Sequence, residues 1–116
     1  MGKEDKFLRL TMECIECLKE DKKTEICISY GYDTPDDTRW EHWHDAAYDE
    51  PGFLYTEGNP FDIFDKCRGK DVKKLNIVMI RGCITALLRE MRNGGIDKDT
   101  LIMLLERWLE LAEQQE

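Results

Sequence analysis

Residues 71–114, DVKKLNIVMIRGCITALLREMRNGGIDKDTLIMLLERWLELAEQ, decide the fold, because they carry the longest apolar periodicity in this 116-residue chain. Leu75, Val78, Met79, Gly82, Ala86 and Leu87 recur at the spacing of one helix face. Ile77, Ile80, Cys83 and Ile84 widen that face until the helix must be central. Asp71 supplies a cap, so the pattern predicts a helix over 72–93. Gly82 within it would let another backbone approach closely, against a helix cost of about 1 kcal/mol relative to Ala. Asn93-Gly94-Gly95 stops this helix, and Asp97 with Thr100 starts the last one, Lys98 to about Gln114. So short a link leaves only an antiparallel helical hairpin. On the last helix Leu101, Leu104, Leu105, Trp108, Leu111 and Ala112 face inward. Ile102, Met103 and Leu109 form a flank for the first helix or a second copy of the chain to cover.

Working back toward the N-terminus, Asn59-Pro60 is a cap followed by a first-turn proline, and predicts a short helix Phe61–Arg68 ending at Gly69. Thr34-Pro35-Asp36-Asp37 has the same form, with acids in the first turn, and predicts a helix to about Asp49, where Pro51-Gly52 ends it. Lys3–Asp21 is amphipathic, with Phe7, Thr11, Cys14, Ile15 and Leu18 on one face. Between these helices the period changes. Thr24, Ile26, Ile28 and Tyr30 alternate with Glu25, Cys27 and Ser29, as in a half-buried strand. Its expected partner is Phe53-Leu54-Tyr55-Thr56, paired antiparallel; the alternative is its own copy in a dimer. The expected fold is therefore a mainly helical α+β domain over residues 1–116, with about five helices and a minimal two-stranded element.

The charge is segregated. Residues 31–65 hold ten acids and one base, a local charge of −9, while the whole chain carries −8. The same stretch holds eight of the eleven aromatic residues. Rings among carboxylates suit a surface that meets a cationic partner, the rings giving desolvated contact and the charges steering. Helical spacing of Trp40, Trp43, Phe61 and Phe64 suits a core equally well, which would leave the carboxylates as a solvated anionic face. Asp36, Asp37, Trp40, Glu41, Trp43, His44, Asp45, Asp49 and Glu50 are the residues such a face would offer. Glu41, Asp45 and Asp49 repeat at fourfold spacing and repel one another unless a partner or Arg39 relieves them.

Other chemistries find little purchase. Cys14 and Cys17 form a CxxC in mid-helix beside Glu13 and Glu16, where a thiol pKa rises rather than falls, and no second ligand pair follows. Five cysteines, an odd number, fit reduced thiols. His42 and His44 point in nearly opposite directions on a helix and cannot chelate one ion together. Residues 33–37 fail the calcium-loop pattern, and Gly94-Gly95 lacks the sequel of a phosphate loop. No metal or cofactor is implied.

An acidic balance opposes direct nucleic-acid binding. The short basic run Lys66, Arg68, Lys70, Lys73 and Lys74 reads as dressing for a helix junction. No apolar run approaches the roughly 18 to 20 residues that cross a bilayer, and the first residues lack the pattern of a signal peptide, so the expected location is the cytoplasm without membrane contact. The functional expectation is a non-enzymatic protein-binding module, regulatory or inhibitory, that meets a partner with a basic surface; one form mimics nucleic acid. The alternatives are a small enzyme or ligand-binding domain using His44 with a nearby carboxylate, and a structural homodimer formed through the last helix.

Overall fold

Asn76, rather than Asp71, begins the central helix. In the computed structural model, which describes residues 3–27, 34–35 and 37–114, Asp71 caps only a 3-10 turn, Val72–Lys74, and the chain then straightens through Leu75. The Asn76 side chain accepts from the Met79 amide and opens α4, Ile77–Glu90. Two competing caps five residues apart account for the break within the expected 72–93 helix. The other described helices are α1 (Lys3–Glu20), α2 (Thr38–Asp49), α3 (Pro60–Cys67) and α5 (Lys98–Gln114). Helix α5 is shared between α1 and α4; α2 packs chiefly on α1, and α3 on α4. This is a mainly helical α+β fold with the C-terminal hairpin at its centre. None of the described helices is long and apolar enough to cross a membrane.

The strand is paired differently from expectation. Strand β1, Glu25–Ile26, lies antiparallel to β2, Ile96–Asp97, with Ile26 opposite Ile96. Ile28 and Tyr30 lie outside the described residues. The hairpin link between α4 and α5 therefore supplies the partner, and the amide of Lys98 adds a bond to the Thr24 carbonyl (2.9 Å). Lys98 itself is buried and its Nζ donates to the Asp21 carbonyl just past the end of α1, where a cation complements the helix dipole.

Phe53–Thr56 is not a strand, for a reason that lies in α4. The backbone groups that a strand would bond are taken by side chains: Arg81 donates to the carbonyls of Phe53 (3.0 Å) and Leu54 (2.8 Å). The Thr85 hydroxyl accepts from the Tyr55 amide (2.8 Å) and donates to the Arg81 carbonyl (2.8 Å). With its polar groups satisfied there, the segment needs no ladder. Gly52, at φ +77°, turns the chain so that Phe53 enters the core.

Ile102 and Leu109, the flank left over on α5, are buried within the chain, whereas Met103 stays 49% exposed. Leu111 and Ala112, expected to face inward, are half-buried. Gly82 is closely approached, but by a side chain rather than a backbone. A Cβ there would sit 2.7 Å from Cγ2 and 2.9 Å from Cβ of Ile63 in α3. Gly82→Ala should therefore lower stability by about 1–3 kcal/mol in urea denaturation, although Ala favours helices. In an Ile63→Ala background, itself destabilised by the lost packing, the same Gly82→Ala change should cost little or nothing. A Gly82→Ala protein more stable than the wild type would show that α3 does not pack there.

Candidate functional site

Helix α2 starts at a charged cap. The Asp37 carboxylate accepts from the Arg39 amide (2.8 Å) and from its guanidinium (2.8 and 3.1 Å). This charge-assisted cap displaces the expected Thr34-Pro35 start, and both residues lie before the helix. The same guanidinium reaches Glu20 at the end of α1 (2.7 Å). Its hydrogen bonds hold the Asp37 carboxyl down to about 2. Arg39 is thus committed to Asp37 and Glu20, and Asp37 belongs to this junction more than to a free acidic face. Asp36 lies outside the described residues.

The next turns divide the helix into three faces. Trp40, Trp43 and Ala47 face the core and are buried, Trp43 completely. The indole Nε1 of Trp43 donates to Thr11 Oγ1 (3.1 Å), and that hydroxyl donates in turn to the Phe7 carbonyl (2.8 Å). Both tryptophans are core residues rather than exposed contact rings, and they correct that part of the expected binding face. On one flank His44 stacks on Trp40 (centroids 5.4 Å) and meets Tyr48 edge-on (5.2 Å), with the Arg92 guanidinium over the Tyr48 ring (5.3 Å).

The outer face carries Glu41, His42, Asp45 and Asp49, all exposed. Among the described residues, Glu41, Asp45 and Asp49 form no ion pair. Asp45, Asp49 and Glu50 line an open groove of about 640 Å³ between α1 and α2, whose apolar side is Phe7, Leu10, Ala46 and Pro51, with Lys6 and His42 at its edge. At Pro51 it meets a second hollow of about 280 Å³ bounded by Phe53, Ile77, Arg81 and Trp108. The groove was not legible in the sequence, because its wall of Leu10 and Ala46 comes from two helices that only tertiary packing brings together.

Three of the five thiols, those of Cys14, Cys17 and Cys83, are held protonated by their placement. Burial pushes the Cys14 thiol well above the usual range and the Cys17 thiol up to about 11, with Asp37 adding to the rise. Burial and its neighbour Cys67 push Cys83 up to about 12. Thiols held protonated in this way are poor nucleophiles and poor ligands. Among the described residues, no group of three His, Cys, Asp or Glu side chains is arranged to hold a metal ion.

Comparison of the chain with protein-family models, with curated proteins and with solved structures found no match. Function must therefore be read from the residues themselves.

Burial holds the His44 pKa below its ordinary 6.5, and Arg92 works in the same direction against the pull of Asp45. Its Nε2 is buried and has no hydrogen-bond partner among the described residues. The folded state thus favours neutral imidazole, so His44 contributes stability that is complete above pH 6.5 and is lost as pH falls through the lowered pKa. His44→Phe, which keeps an aromatic ring against Trp40, should flatten the stability difference between about pH 5 and pH 7.5 in urea denaturation. An unchanged pH dependence would place the titrating group elsewhere.

Proposed function

We propose that the outer face of α2 and the adjoining groove form a docking site for a basic protein segment, and that the chain is a regulatory or inhibitory binding module. The observation that carries this reading is the placement of Glu41, Asp45 and Asp49. They are exposed, unpaired among the described residues, and stacked at fourfold spacing, where each like-charged pair costs about 0.2–0.5 kcal/mol. Asp49 also sits in the last turn, and no basic residue occupies that turn to offset the dipole. Arg39, the one base of the segment, turns away to Asp37 and Glu20. Glu41 is favoured by its place in the first turn, but Asp45 and Asp49 add nothing to local stability, whereas a cationic partner gains a row of acceptors beside an apolar trough.

The fitting ligand is an amphipathic segment, apolar side chains entering between Leu10, Ala46 and Pro51 while Lys or Arg side chains meet Asp45 and Asp49. The nucleic-acid-mimicking form is the special case in which the partner's basic surface is itself a phosphate-binding channel.

Removing the charge should separate binding from stability. Asp45→Asn with Asp49→Asn should raise the unfolding free energy slightly, by a few tenths of a kcal/mol, because repulsion and the unfavourable last-turn charge are relieved. The same variant should bind a fluorescein-labelled Lys/Leu amphipathic peptide about three- to tenfold more weakly, with a shallower salt dependence. Equal peptide affinity of variant and wild type, or a loss of stability on neutralisation, would remove the basis for this function.

A further inference from the structure

Past α3 the sign of the surface reverses. Lys66, Arg68, Lys70, Lys73 and Lys74 are all exposed in the stretch 66–74. The acid that precedes the run and the one within it are already engaged: Asp65 pairs with Arg68 (3.2 Å), and the Asp71 carboxylate accepts from the Lys73 amide (3.0 Å). Between this run and α5 lies an apolar pocket of about 170 Å³. Leu75, Cys83 and Leu104 form its buried floor and Phe64 a wall, with Arg68 and Lys70 exposed at the mouth. The Arg68 guanidinium lies over the Phe64 ring, 5.7 Å from its centroid, and so is held at the pocket edge.

We infer that this pocket is a binding site for small organic anions whose apolar body is about one ring in size, the aryl carboxylates being the class that fits. Size sets the body: an apolar protein cavity of about 150 Å³ accommodates benzene. Charge sets the head group. The ring enters against Phe64, Leu75 and Leu104, leaving the carboxylate at the mouth to accept two N–H bonds from the planar guanidinium of Arg68, while Lys70 adds a point charge. The Arg68–Asp65 pair is solvent-exposed on both sides and so gives way readily to a ligand carboxylate. The surrounding lysines raise the local anion concentration on a molecule that otherwise repels anions. This site is separate from the α2 groove, and either can fail without the other.

Benzoate and its neutral counterpart benzyl alcohol, titrated into the ¹⁵N-labelled full chain, test the assignment. Benzoate should give saturable amide shifts concentrated in residues 64–75 and 100–104, at about millimolar affinity and about tenfold tighter than the alcohol. In the double variant Arg68→Gln, Lys70→Gln, whose altered side chains are both exposed, that preference should vanish while weak binding of the alcohol persists. Equal affinity for the two compounds, shifts centred elsewhere, or a preference that survives the double substitution would each overturn the inference.

Discussion

Phe53 is the contact on which the other parts of this molecule converge. Its ring lies 4.8 Å from Phe7 of α1, 5.0 Å from Trp108 of α5 and 6.0 Å from Trp43 of α2, meeting each at a steep angle. Edge-to-face pairs of this kind add about 0.5–1.5 kcal/mol each beyond the area they bury. The residue comes from a loop, and the loop is fixed by Arg81 and Thr85 of α4. The Phe53 ring joins three helices and the loop backbone a fourth, so four helices are tied to a segment that has no regular structure of its own.

That arrangement explains how α2 can carry an unfavourable row of charges. The helix is anchored through Trp40, Trp43 and Ala47, through the Trp43–Thr11 hydrogen bond and through the Arg39 junction at its start. These attachments all lie on its inner side or at its first turn. The outer face carries no core contact, and past Glu41 its acids Asp45 and Asp49 stand at positions where helix physics disfavours them. Conflict between local preference and the chosen residues is what the proposed docking function would explain.

Much of the scaffold was legible in the sequence. The bounds of α5, the Asn59-Pro60 start of α3 and the hairpin all followed from caps and apolar spacing, because those signals are local and uncontested. Readings failed where two signals competed or where the deciding partner was distant. Asp71 and Asn76 are both good caps, and only packing chooses between them. Thr34-Pro35 reads as a helix start until the Asp37–Arg39 pair is seen to include Glu20 from α1. Phe53–Thr56 has strand composition, yet its backbone partners are two side chains about thirty residues away, which no local pattern announces. The aromatic content of the acidic stretch was visible. That its tryptophans face inward, leaving the carboxylates beside a groove made by two helices, depends on tertiary contact.

The proposed docking face needs α2 to be as firmly held as the core behind it. Native-state hydrogen exchange of the backbone amides measures that directly. The amides of Trp43, His44 and Ala47 should exchange only through global opening, with free energies matching those of Ile84 and Leu88 in α4. Exchange of the α2 amides orders of magnitude faster than those of α4 would contradict the account, because it would mean that the ring cluster around Phe53 does not hold the acidic helix in place.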